Sequence, residues 1–417
     1  MSAALSHSLP VRPRGACPTL PEPMPTGDGL LARIALAAPA KPAQFAALAG
    51  LAARHGNGIV EVTARGKLQV RGLTEASAAP FARDVGALDL ALREGLEIQI
   101  NPLAGLAPMH FDPRPIADAI AEAVATAGLG PRLAPKLAVV VDGGGAPDLS
   151  ALSADIRLAP APDAAKREVL VSAAMAPLGL VPLERAVEAV LLLLGLLAAR
   201  GRRARMAALV EQEGTAPLLA ALDRVMTALP QPAASAEGRP EAVGLHVLED
   251  GRVALGIGLP FGHGEARSLV ALAQEAEKSG GSAIMPAAGR TLLLIGVAEN
   301  AAPVLRSMSA ALGFIVDADD PLRHVDACPG MPSCASAHIE TRALAATLAL
   351  LAGGRRVHVS GCAKGCAHPA GADLTIVGLD GGAGLVVEGG PRDAPAEIVP
   401  VDRLAAAARS LLEKQGV

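Results

Sequence analysis

Ile59-Val60-Glu61-Val62-Thr63-Ala64-Arg65-Gly66-Lys67-Leu68-Gln69-Val70-Arg71-Gly72-Leu73 is the stretch from which the fold can be read. Val60, Val62, Ala64, Leu68 and Val70 alternate with Glu61, Thr63, Arg65, Lys67, Gln69 and Arg71, the period of a strand with one buried face. Gly66 falls in the middle. A continuous strand would show three cations in a row; a tight turn at Gly66 would instead make a hairpin with Arg65 and Lys67 at its tip. Either geometry offers cations to a carboxylate-rich ligand. A solvated strand face is the plain alternative.

Upstream, Leu30 to Ala37 reads as a strand and Ala43 to His55 as a helix closed by Gly56; downstream, Ala76 to Leu90 reads as a second helix. The same order returns with Val253 to Gly258 as strand, Glu265 to Lys278 as helix, Thr291 to Val297 as strand and Ala302 to Leu312 as helix. The two copies lie about 224 residues apart and align Gly72 with Gly296. Each has the order of half a ferredoxin-like sandwich. The positions matching Arg65, Lys67, Gln69 and Arg71 are Gly289, Thr291, Leu293 and Ile295, so only the first copy carries the charge. One polar cleft shared by two related halves is the expected arrangement.

Between the copies, Leu137 to Val141 and Val169 to Ser172 read as strands. Leu183 to Arg200, Arg203 to Glu211 and Thr215 to Leu229 read as helices, the last with Thr215 as N-cap. After the second copy come a helix from about Ala335 to Leu351 and strands Val357 to Ser360 and Leu374 to Val377. The expected class is therefore α+β, with duplicated ferredoxin-like half-domains alternating with two larger α/β modules. The expected boundaries are a Pro-rich leader at 1–26, half-domains at 27–94 and 240–317, and modules at 95–230 and 318–417, with a linker at 230–240.

With 417 residues, 51% apolar, the chain can bury a large core, and 37 Lys plus Arg against 41 Asp plus Glu leave no basic excess for nucleic acid. Trp and Tyr are absent and Phe numbers five, which removes stacking platforms for bases. The longest apolar run, Ala189 to Ala199, is short of the ~20 residues that cross a bilayer. The leader lacks the order of a secretory signal, so a cytoplasmic location is expected. No P-loop occurs, and the Gly-rich match at Gly27 to Ala32 follows Pro-rich sequence instead of a strand, so nicotinamide electrons would arrive through a separate reductase.

Four of the five cysteines form Cys328-x5-Cys334 and Cys362-x3-Cys366. An iron-sulfur cluster suits soft ligands delivered from two loops, whereas structural zinc takes tighter pairs and disulfides suit oxidising compartments. Zinc and a chance group of reduced thiols stay open on the residues alone. Cys334 is expected to open a helix whose positive end faces the cluster. His324, His338, His358 and His368 accompany the region, and His368, beside Cys366, is the one placed to ligate a further iron. Lys136, entering the strand Leu137 to Val141, is a further candidate cation.

These motifs together resemble the sirohaem and iron-sulfur dependent sulfite and nitrite reductases over about residues 27 to 400. The cysteine spacing matches that family's cluster. Thr63-Ala64-Arg65 through Gln69, Asn101-Pro102-Leu103-Ala104-Gly105 and Arg203-Ala204-Arg205-Met206 are similar to its other motifs. Within that superfamily the chain is most similar to the precorrin-3B synthase family of aerobic cobalamin biosynthesis, through Arg14-Gly15-Ala16-Cys17-Pro18, Pro23-Met24-Pro25-Thr26-Gly27-Asp28-Gly29-Leu30-Leu31 and Asp155-Ile156-Arg157-Leu158.

The departures point the same way. Ile98-Gln99-Ile100 stands where the reductases carry an Arg, and Ala138 replaces the second of two lysines of which Lys136 matches the first. The resemblance implies a monooxygenase that hydroxylates precorrin-3A at C20 with lactone formation, using O2 and NADH-derived electrons from a donor protein. It implies a [4Fe-4S] cluster on Cys328, Cys334, Cys362 and Cys366, and a sirohaem or a mononuclear non-haem iron. Arg65, Lys67, Arg71 and Lys136 would bind tetrapyrrole carboxylates. A sirohaem-dependent sulfite or nitrite reductase is the alternative.

Overall fold

The computed structural model describes residues 17–163, 166–227, 241–368 and 370–414. The leader motif Arg14-Gly15-Ala16 and the expected linker at 230–240 lie outside the described residues. The chain divides into two compact units, one of residues 92–254 and one of the residues before and after it.

In the flanking unit the hairpin is real: strands Ile59–Val62 and Leu68–Leu73 run antiparallel. The Thr63 N–H donates to Lys67 O (2.8 Å) and the Gly66 N–H to Thr63 O (2.9 Å). Gly66 has φ +73°, a backbone conformation that side chains disfavour, so glycine breaks the alternation here. Helix Pro42–His55 begins with proline in its first turn and with the Lys41 N–H donating to the Gln44 side chain. It buries Phe45, Leu48, Ala49 and Ala52, one face at helical spacing, and stops at Gly56.

The first sheet runs in the order Met24–Thr26, Gly29–Ile34, Leu68–Leu73, Ile59–Val62, His263–Glu265. Met24–Thr26, in the expected leader, is thus part of the sheet. The second copy repeats the plan, with Val253–Gly258 beside Thr291–Val297 and that beside Ala283–Ala287. Helices Ala266–Lys278 and Ala302–Ala311 complete it. The hairpin tips of the two copies meet through a bridge between Arg65 and Ala288.

The cysteine-bearing module has parallel strands Val325–Ala327, Val357–Ser360 and Ala372–Leu379, followed by antiparallel Gly382–Gly389 and Glu397–Val399. Val357, Val359, Leu374, Ile376 and Leu385 pack with Leu348 of helix Arg342–Ala352 and Leu412 of helix Leu404–Lys414. The helix expected from Ala335 starts only at Arg342, so Cys334 opens no helix and no helix dipole is placed there. The intervening backbone is used elsewhere: the His338 N–H donates to Gly361 O (2.8 Å), Ile339 O accepts from Met331 (3.0 Å), and the Thr341 hydroxyl donates to Cys328 O. Loop-to-loop bonds outcompete an alanine-rich propensity.

Residues 92–254 hold a sheet of the same pattern. Glu97–Ile100, Ala138–Val141 and Ile156–Pro160 are parallel, and Glu168–Ala173 and Ala176–Pro182 follow antiparallel. Ile120 of helix Arg114–Thr126 and Leu193, Leu194 and Leu197 of helix Ala186–Arg200 close the core over Val139, Val141, Ile156 and Leu158. The third helix region begins at Met206, not Arg203, because the Asp155 carboxylate accepts from the Met206 N–H (2.9 Å) and from Arg205. Two of the quoted motifs therefore meet. Thr215 makes no side-chain cap on the short helix Ala216–Leu222.

Candidate functional site

The two cysteine loops leave the carboxyl ends of neighbouring parallel strands, the place where α/β sheets bind ligands. Cys328 follows Val325–Ala327, and Gly361-Cys362 follows Val357–Ser360. The Gly361 N–H points at Cys328 Sγ (3.2 Å), and the Ser360 hydroxyl donates to Cys362 O (2.7 Å). A side chain at Gly361 would strike Ala337 Cβ at 2.7 Å, so glycine is what lets the loops approach.

All five cysteines are free thiols. Burial pushes the Cys328 thiol up, and the charges of Cys334 and Cys362 push it further; Cys366 is raised by desolvation and by Cys328, Cys362 and Cys334. The four thiols are thus near enough for their charges to oppose the ionisation of Cys328 and Cys366, which favours the neutral thiol there. Among the described residues no three His, Cys, Asp or Glu side chains stand close enough together to hold a single metal ion.

Arg71 corrects the reading of the basic strand. It is 4% exposed, because the polar face of the hairpin is covered by the module instead of by water. Its Nε and a terminal nitrogen donate to both oxygens of Asp28 (3.0 and 2.8 Å), another donates to Glu61 (3.4 Å), and Ser333 O accepts at 2.9 Å. Burial alone would raise the Asp28 carboxyl, but Arg71 and the Thr26 hydroxyl hold it low. Glu61 is also paired with Arg342, which contacts His263 Nδ1 (2.6 Å). Arg71 is thus spent on the protein. Arg65 and Lys67 sit half-buried at the hairpin tip, and Lys136 is exposed in the turn before Ala138–Val141 in the other unit.

A second charged group reaches the loop after the last cysteine. Asp326, 3% exposed, receives Arg290 (2.5 Å) and Arg356 (2.7 Å), with His368 Nδ1 at 3.5 Å. Burial raises its carboxyl, and the two arginines and His368 more than reverse that. Arg290 also donates to Ala367 O (2.9 Å). His358, across the strands from Asp326, is fully buried with neither ring nitrogen bonded, and its ring meets His368 edge-on at 5.8 Å. Burial lowers its pKa to about 4. Asp28, Asp326 and Arg290 were not singled out from sequence, although Asp28 lies inside the quoted leader motif and Asp326 two residues before Cys328.

The second unit fills the same topological place differently. Asn101 follows Glu97–Ile100 as Cys328 follows Val325–Ala327. Its side chain accepts from the Gly143 N–H (2.7 Å) and donates to Asp142 (3.1 Å). Hydrogen bonds stand where the other module has thiols. A separate cleft of about 540 Å³ in this unit is lined by His110, Asp112, Lys166, Arg167 and Glu168 and contains none of the sequence-predicted residues.

Comparison with known proteins agrees with this geometry. Residues 22–88 match the nitrite/sulfite reductase ferredoxin-like half domain. The structure of the Mycobacterium tuberculosis NirA protein shares the fold, with a TM-score of 0.73 and 18% identity over 92% of this chain and 80% of that one. A precorrin-3B synthase from Sinorhizobium sp is 40% identical over 399 residues, which is 92% of this chain and 84% of that protein. The chain belongs to the precorrin-3B synthase family.

Proposed function

We propose that this chain hydroxylates precorrin-3A at C20 and closes a lactone with the ring A acetate. One oxygen atom of O2 would enter the product and the other leave as water, the two electrons coming from NADH through a separate donor protein. The observation that carries the reading is the 40% identity to a precorrin-3B synthase across nearly the whole chain. A cluster, which Cys328, Cys334, Cys362 and Cys366 would hold, would supply electrons one at a time and, with all four positions on cysteine, would have no open site for oxygen.

This chain's own residues do the rest. Arg65 and Lys67 at the hairpin tip, and Lys136, anchor substrate or cofactor carboxylates by charge-assisted hydrogen bonds. Ala138 and Ile98 are 1% and 4% exposed strand residues, so the cations that would grip sulfite or nitrite have no counterpart there. The oxygen-activating iron is a sirohaem or a mononuclear ion. Asp326, His358 and His368 do not fit the latter as they stand, since Arg290 and Arg356 occupy the carboxylate. Visible and paramagnetic resonance spectra of the anaerobic protein separate the two. Cluster-replete protein given precorrin-3A, O2 and a reductant should form the hydroxylated lactone; no product, or sulfite and nitrite reduction in its place, overturns the proposal.

Among the described residues no helix is long and apolar enough to cross a membrane.

A further inference from the structure

Each ferredoxin-like half sends one arginine to one cysteine loop. From the first half, Arg71 grips both oxygens of Asp28 and donates to Ser333 O, the carbonyl immediately before Cys334. From the second, Arg290 pairs with Asp326 and donates to Ala367 O, the carbonyl immediately after Cys366. The two are not equivalent in the repeat, since Arg71 aligns with Ile295 and Arg290 with Gly66. They reach the same kind of target from different positions.

We infer that Arg71 and Arg290 are paired clamps that set the positions of the two cysteine loops, and that the half-domains thereby arrange the thiols for a cluster. This rests on the reading of the four thiols as cluster ligands. A guanidinium suits the task because its fork can be locked on a carboxylate while another N–H remains for a carbonyl. Arg290 holds its place with φ +62°, a left-handed conformation that costs a non-glycine residue free energy and persists only where surrounding contacts fix it. Gly27 adds a second hold on the Cys334 loop. Its Cα packs so tightly on that loop that a Cβ would lie 2.4 Å from Ala335 N.

Neighbouring arginines supply internal controls. Arg356 pairs with the same Asp326 (2.7 Å), but its described hydrogen bonds go to no cysteine loop. A general loss of ion pairing at Asp326 would therefore appear in both variants, and a clamp only in Arg290→Met.

The test has two arms. In the first, anaerobically prepared protein and its R71M, R290M and R356M variants are compared by iron and sulfide content, by the paramagnetic resonance spectrum of the reduced cluster, and by the rate of cluster loss to a chelator. R71M and R290M should each alter the spectrum and lose the cluster several-fold faster, while R356M should match wild type. In the second, the metal-free proteins are alkylated with iodoacetamide and each cysteine is followed by mass spectrometry. R71M should speed Cys334 several-fold and leave Cys366 unchanged, and R290M should do the reverse.

Unchanged spectra and alkylation in both variants, or an R356M protein that behaves as R290M does, overturn the inference. If wild type takes up no iron and sulfide, the cluster reading fails while the alkylation arm still decides the clamps. Should R71M not fold, R290M, whose arginine is 19% exposed, carries both arms alone.

Discussion

Replacing Gly27 by alanine tests the contact between the leader motif and the cysteine loop. The added Cβ would stand 2.4 Å from Ala335 N, 2.7 Å from Cys334 C and 2.8 Å from Cys334 Cα, where ordinary contact begins near 3.4 Å. The loop must retreat by about 1 Å, and backbone offers none of the freedom of a side-chain tip. Overpacking of this kind costs ~1–3 kcal/mol, and the stiffer unfolded chain returns ~0.4–1 kcal/mol, leaving ~1–2 kcal/mol against the native loop.

Because the chain has two units, the effect is best read locally, by hydrogen exchange of the Cys334 and Ala337 amides, which donate to Gly330 O and Cys334 O. Their exchange should accelerate by roughly 5- to 30-fold, the equivalent of that free energy. Gly50→Ala is the control. Nothing lies within 4 Å of that exposed helical position, so alanine there should stabilise by about 0.5–1 kcal/mol and leave the loop untouched. Exchange in Gly27→Ala indistinguishable from wild type would refute the packing argument.

Cys334→Ser should abolish both cluster content and lactone formation, measured by iron and sulfide analysis and by product mass; full activity without the cluster would remove the thiols from the chemistry. Arg65→Ala and Lys136→Ala should weaken tetrapyrrole binding more than turnover, and unchanged affinity by spectral titration would return those side chains to ordinary surface roles. His358, neutral and buried with a folded pKa of about 4 against 6.5 when free, makes the unfolded state bind the extra proton as pH falls. Its stabilising share is complete above the free value and declines between 6.5 and about 4, by roughly 3 kcal/mol in total. His358→Gln should flatten that slope in urea unfolding series, and an unaltered slope would show that another group titrates.

The duplicated plan was legible because it depends on local rules. Gly66 interrupts a clean alternation, Gly56 stops a helix, and the same order returns later in the chain. What sequence hid was set by distant partners. Ala335 to Thr341 runs without Gly or Pro into the helix Arg342–Ala352, yet its backbone bonds go to Gly361 and Met331. Glu97–Ile100, at the edge of its sheet, and Ile156–Pro160, at its centre, are short strands, too brief for a periodic signal. Arg71 read as a cation for ligand carboxylates because Asp28, 43 residues away, and Ser333, 262 residues away, are invisible to a local pattern. The cysteines could be picked out by their spacing; Asp326 and Arg290, whose contacts reach the loop after Cys366, could not.

The hydrogen-bonded Asn101 loop carries a consequence for how the molecule is made. Asn101 and Asp142 close the ends of their strands with groups the chain itself supplies. On the proposed reading, the corresponding thiols at Cys328 and Cys362 would take iron and sulfide from outside. On that reading one module would depend on an outside supply of iron and sulfide, while its counterpart around Asn101 would not.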